Sequence, residues 1–202
     1  MGNPESSVDY IFIDPPFGAN LMYSELNFLW ESWLGVKTNN TLEAIENKTQ
    51  NKKLSDYHKL MTDAFKTCYK LLKPGKWMTV EFSNTRASVW NVIQNAIQEA
   101  GFIIANVSAL NKGQGTFNSQ TNPTSVKQDL VITAYKPSVK ITDFIKNNGE
   151  NENIVWLFLE EHLKKLPVFV GSKGQGTLIL ERTPRILFDR MVAYHVQNGL
   201  PV

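Results

Sequence analysis

Cysteine occurs once in these 202 residues, at Cys68. A lone thiol excludes an intramolecular disulfide and any multi-cysteine zinc site within the chain. Histidine is nearly as scarce, with three residues: His58, His162 and His195. Each falls on a helix-like segment with no carboxylate at metal-ligand spacing, so packing is expected and no metal. No apolar run approaches the roughly 20 residues that a membrane-spanning helix requires. The opening MGNPESS lacks the basic and apolar regions of a signal peptide, so sequons such as Asn47-Lys48-Thr49 carry no weight. A cytoplasmic protein without membrane contact is expected. A large charge excess is also missing. The net charge of +2 permits nucleic-acid binding without arguing for it.

What is present describes a folded globular chain, with 42% hydrophobic and 20% charged residues. The length suits one substantial domain, or one with an appendage. Val8 to Ile13 reads as a short buried strand closed by Pro15 and Pro16. Leu21 to Leu34 places Met22, Leu26, Leu29, Trp30 and Trp33 at helical spacing and stops at Gly35. The Asn-, Thr- and Lys-rich stretch from Val36 to Lys53 reads as a mobile loop. Ser55 or Asp56 caps a helix reaching Leu72, with Met61, Phe65, Cys68 and Leu71 on its apolar face, before the breakers Lys73-Pro74-Gly75. A strand over Trp77 to Phe82 follows, then a helix over Ala87 to Ala100. Strands over Phe102 to Leu110 and Gln128 to Tyr135 are joined by a long polar loop. Beyond Pro137, helices are expected over Ile141 to Asn147, Ile154 to Leu166 and Thr183 to Val196, with a hairpin or extended piece over Pro167 to Leu180. The alternation predicts an α/β fold with a parallel sheet ending in an antiparallel hairpin at one edge. Residues 1–137 form the main unit and residues 138–202 a mainly helical extension.

The stretch Asp14-Pro15-Pro16-Phe17 carries the chemistry. In an open parallel sheet, ligands bind beyond the carboxyl ends of strands, where Asp14 sits. The prolines offer no N–H and hold φ near −65°, so the turn presents a carboxylate and carbonyls on a stiff frame. Acceptors without donors suit an amino group, and Phe17 adds a face on which a planar ring can stack. The arrangement suits alkylation of a nucleobase exocyclic amine. That lone pair is delocalised into the ring, and hydrogen bonds from both N–H groups would localise it on nitrogen. A base within a duplex must be flipped out to reach such a turn.

The same residues resemble the catalytic motif of amino-group DNA methyltransferases of the adenine-specific type. The resemblance extends along most of the chain, through VDYIFIDPPFGANLMYSELNFLWESWL, LLKPGKWMTVEFSN, KGQGTF with VKQDLVITAYKP, and ERTPRILFDRMVAYHV, to large bacterial adenine-specific methylases. It implies a Rossmann-like sheet of seven strands, S-adenosylmethionine as cofactor and DNA as partner. It marks Asp14, Pro15, Pro16 and Phe17 as the catalytic set. Asp14 and Pro15 would hold the target amine, Phe17 would stack on the flipped base, and Asp14 would also border the cofactor. Asn84 would lie at the same rim. Phe117 and Lys112, in the polar loop, are candidate substrate contacts.

The family also needs a glycine-rich turn that cradles the cofactor, and only 13 residues precede Asp14. FVGSKGQGTLILE from Phe169 is the one downstream candidate, but Leu178-Ile179-Leu180 reads as a strand where the motif requires a helix. The chain is therefore expected to be roughly the second half of a methyltransferase with an incomplete cofactor site, inactive when isolated. Its Val8 to Ile13 strand should become an edge open to pairing with another copy, as in a homodimer. Cys68 on an apolar face argues against cytosine ring-carbon methylation. The five tryptophans, Trp30, Trp33, Trp77, Trp90 and Trp156, fit core faces better than a stacking platform. Three alternatives stay open: cytosine amino methylation, RNA base methylation, and a non-catalytic DNA-binding or specificity module.

Overall fold

The computed structural model describes residues 5–19, 21–110, 129–138, 153–167 and 179–197. Four strands form one mixed sheet: β1 (Val8–Ile13), β2 (Leu72–Phe82), β3 (Ile103–Leu110) and β4 (Asp129–Tyr135), in the order β1-β2-β4-β3. β1 and β2 run parallel, while β4 is antiparallel to both its neighbours. The expected α/β class, with an antiparallel pair at one edge, is therefore what forms. β1 occupies the other edge.

Five α-helices are described: α1 (Tyr23–Leu34), α2 (Leu54–Leu71), α3 (Ala87–Glu99), α4 (Asn153–Lys165) and α5 (Pro184–Gln197). Strand alternation decides what each sheet face receives. Met78, Val80 and Phe82 of β2 join Ile132 and Ala134 of β4 against α2 and α3, which contribute Tyr57, Met61, Phe65, Val89, Ile93 and Ile97. The opposite face gathers Ile103, Ala105 and Tyr135 around Phe158 of α4 and Leu166. Described helices thus pack on both faces of the sheet, α4 only around Ile103, Ala105 and Tyr135.

The residues around α2 explain both its ends. Asp56 accepts the Lys53 backbone N–H at 2.8 Å, so the helix begins one residue before Ser55. At the other end Lys136 Nζ donates to the Tyr69 and Leu72 carbonyls, each at 2.8 Å, and lies over the Tyr69 ring. A cation there satisfies orphan carbonyls and complements the helix dipole.

Four expectations need correction. β1 is not buried on both faces: Ile11 and Ile13 pack inward, while Tyr10 and Phe12 remain more than half exposed. The apolar stripe of α1 is uncovered, with Trp30 68% and Trp33 85% exposed, and Trp156 of α4 is exposed as well. Periodicity marks a face but not what covers it. The Val36 to Lys53 stretch is pinned: Ile45 is fully buried, and Lys52 Nζ donates to the Asn40 and Glu43 carbonyls. Lys73-Pro74-Gly75 ends α2 but lies inside β2, not in a turn before it. The strand accommodates the proline through a bulge, because β1 pairs Val8 with Leu72 and then Tyr10 with Trp77. The helix expected over Ile141 to Asn147 and nearly all of the Pro167 to Leu180 piece lie outside the described residues.

Candidate active site

β1 delivers the tetrapeptide to the carboxyl end of the sheet, beside β2. Asp14 is exposed, Pro15 is buried, and Pro16 and Phe17 are half-buried. Among the described residues none donates a hydrogen bond to the Asp14 carboxylate or the Pro15 carbonyl. The next three carbonyls are all engaged. Pro16 O accepts the Tyr57 hydroxyl at 2.6 Å, Phe17 O accepts Asn84 Nδ2 at 2.9 Å, and Gly18 O accepts the Glu46 backbone N–H at 3.2 Å. The turn thus keeps two acceptors that no described residue engages, on exposed Asp14 and on buried Pro15.

Phe17 turns its ring edge-on to Phe82 at 5.2 Å, and Phe82 meets Trp90 edge-on at 4.8 Å. The aromatic expected to stack on a base is therefore also an anchor of the turn, tied through two rings to α3. Asn84 joins the tetrapeptide as the order of motifs suggests, but from behind it. It is 5% exposed and fully engaged, accepting the Arg86 N–H at 2.8 Å and offering its carbonyl to Trp90 Nε1. Arg86 in turn clasps both Glu46 oxygens, at 2.8 and 3.1 Å, drawing the 43–47 segment against the turn. Lys112 and Phe117 lie outside the described residues.

A cleft of about 310 Å³ opens between α1 and the Thr38 to Glu43 segment, lined by Tyr23, Ser24, Asn27, Glu31, Asn40 and Glu43. Burial raises the Tyr23 phenol above its usual range, and the Asp14 and Glu43 carboxylates add to this. Burial also holds the Tyr57 phenol far above its ordinary value, which keeps it protonated and able to donate. Cys68 is half-buried on α2 and its thiol is pushed up by the same cause, the opposite of an activated nucleophile. No three described carboxylate, histidine or cysteine side chains are placed to hold a metal ion.

The described glycines offer no cofactor cradle. Gly18 is packed against Glu46, Val89 and Asn84, Gly101 lies against the Tyr69 ring, Gly35 caps α1, and Gly75 sits in the β2 bulge. The region expected as the one candidate, from Phe169, falls almost wholly outside the described residues. Among the described residues the turn offers two unengaged acceptors, and no glycine forms a turn that could cradle a cofactor. Tyr57, Glu46 and Arg86 were not singled out by sequence. They lie about 30 or more residues from the tetrapeptide in no motif, and only the presence of tyrosine on an apolar helix face hints at the first.

No curated protein matches this chain. Two crystal structures of one Thermus thermophilus protein, whose assignment as a DNA modification methylase is itself provisional, resemble it. The selenomethionine form is 14% identical, with 67% of this chain and 47% of that one covered at a TM-score of 0.37. The other form has the same identity and coverage of this chain, 48% of its own length and a TM-score of 0.39. The chain thus spans about half the length of the protein it resembles there. The sequence model of the DNA methylase family matches residues 8–167, well over half of the chain. By that match, this chain belongs to the DNA methylase family.

Proposed function

We propose that the protein containing this chain transfers a methyl group from S-adenosylmethionine to the exocyclic amine of adenine in DNA. The observation that carries this reading is the turn after β1, where the carbonyls of Pro16, Phe17 and Gly18 are bonded while Asp14 and Pro15 remain without a donor among the described residues. The Asp14 carboxylate accepts one N–H of the amine and the Pro15 carbonyl the other. Two such bonds draw the lone pair out of the ring onto nitrogen, and the two prolines hold the acceptors in place before the base arrives. The unengaged part of the Phe17 ring, fixed by Phe82, supports the flipped base. When bound, the donor supplies an electrophilic methyl group. Asn84 holds the turn from behind. Lys112 and Phe117 remain candidate DNA contacts of the polar loop.

In this reading residues 1–137 carry the catalytic half and residues 138–202 an extension, whose helix α4 backs the sheet. The free edge of β1 is open to a further strand, from a second copy or from the rest of the protein. The protein acts in the cytoplasm, and no described helix is long and apolar enough to cross a membrane.

The test is transfer of labelled methyl groups to DNA by the full-length protein, followed by nucleoside analysis. Label is expected in N6-methyl-2′-deoxyadenosine, and Asp14→Ala is expected to lower the rate by about 100-fold or more. Label in cytosine would reassign the base. Unchanged transfer by the variant would remove Asp14 from the mechanism.

A further inference from the structure

Tyr57 reaches the tetrapeptide from 41 residues away, and it is fully buried in α2. Its hydroxyl donates to the Pro16 carbonyl at 2.6 Å, a short and well-made bond. Each peptide unit is planar, so holding that carbonyl fixes the plane joining Pro16 to Phe17. The proline ring fixes φ of Pro16. The plane that carries the Pro15 carbonyl is then left with one soft angle, ψ of Pro16, between it and an anchored plane. Asn84 and Glu46 secure the following two carbonyls and prevent the turn from compensating further along.

We propose that Tyr57 is the positioning residue of this site: its hydroxyl draws the Pro16 carbonyl away and leaves the Pro15 carbonyl as the backbone acceptor for the target amine. The proposal rests on the amino-methylation reading above and adds a residue to it. A merely structural hydrogen bond would contribute to stability and leave turnover of the folded enzyme alone. A positioning bond shows in kcat, because the misdirected acceptor still binds DNA but no longer localises the nitrogen lone pair.

The experiment compares Tyr57→Phe with wild type in the full-length protein, measuring methyl transfer to duplex DNA and thermal melting. The expected result is a fall in kcat of about 10- to 100-fold with KM for DNA and for S-adenosylmethionine within about twofold. Tyr57→p-aminophenylalanine, which restores a donor at the same position, is expected to recover most of the loss. Should Tyr57→Phe not fold, Tyr57→p-fluorophenylalanine replaces it, having the tyrosine shape without the O–H. An unchanged kcat overturns the proposal while leaving the function standing. So does a loss that appears in KM for DNA instead of kcat, or one that the amino variant does not rescue. Absence of methyl transfer by wild type overturns both.

Discussion

Two glycines show how differently one backbone conformation is used. Gly18 and Gly35 both adopt left-handed angles, with φ of +71° and +66°. A Cβ on Gly18 would come within 3.4 to 3.5 Å of Glu46, Val89 and Asn84, whereas nothing lies within 4 Å of one on Gly35. Gly35→Ala should therefore cost only the backbone penalty, about 1 kcal/mol. Gly18→Ala should cost a similar amount, because contacts of 3.4 to 3.5 Å are ordinary van der Waals contacts and the turn need not give way. Denaturant midpoints of the two variants check this, and a clearly larger loss for Gly18→Ala would show that the turn cannot take up the methyl group. Asp14 and its prolines are legible in the sequence as a stiff acidic turn, because two prolines follow an acid at the end of a strand. Asn84 was readable only as a residue of the same rim. Its engagement of the Phe17 carbonyl, and the part played by Tyr57, depend on contacts between segments far apart in the chain.

Among the elements, α1 is the outlier. Its limits agree with the periodicity and with Gly35 as its stop, yet none of its residues is buried, and Leu26, Phe28, Leu29, Trp30, Trp33 and Leu34 are all exposed. An isolated helix of this length is marginal in water, and Met22 caps nothing with its side chain, leaving the Glu43 carboxylate to accept the Ser24 N–H at 3.2 Å. In the 202-residue chain, its amides should exchange with solvent faster than those of α2 by about two orders of magnitude or more. Native-state hydrogen exchange measures this, and comparable protection of the two helices would mean that α1 is covered in solution. The Val36 to Lys53 stretch is the reverse case. Its composition suggests freedom, but buried Ile45, Lys52 and the bonds of Glu46 to Arg86 and Gly18 fasten it. Composition averages over a segment, whereas a single buried side chain can hold it.

At the scale of the molecule, the two faces of the sheet are joined to different helices, and His162 marks the α4 side. It is fully buried, its ring stacks on Phe158, and its Nδ1 lies 2.9 Å from the Tyr135 hydroxyl of β4. Burial, with Arg190 and Arg182 nearby, lowers its pKa from 6.5 to about 4. A neutral imidazole can accept the tyrosine proton at Nδ1, and an imidazolium cannot. Because the folded-state value is depressed, the unfolded chain binds the proton first as pH falls. The stabilising contribution is thus complete above pH 6.5 and is lost progressively toward pH 4, on the order of 3 kcal/mol in all. Chemical denaturation of wild type and His162→Phe across that window should show a steeper loss for wild type. Parallel curves would mean that the imidazole stays neutral in both states or protonates without cost.

The sequence by itself determined the order of the described strands and α-helices and the α/β class, because each depends on neighbours a few residues apart: periodicity, proline, glycine. Only the tertiary structure decided that β4 lies between β2 and β3, that α1 stays uncovered and that Tyr57, Asn84 and Glu46 brace the tetrapeptide. Those facts depend on which distant surfaces meet. A local pattern names the surface that seeks a partner, and the folded chain chooses the partner.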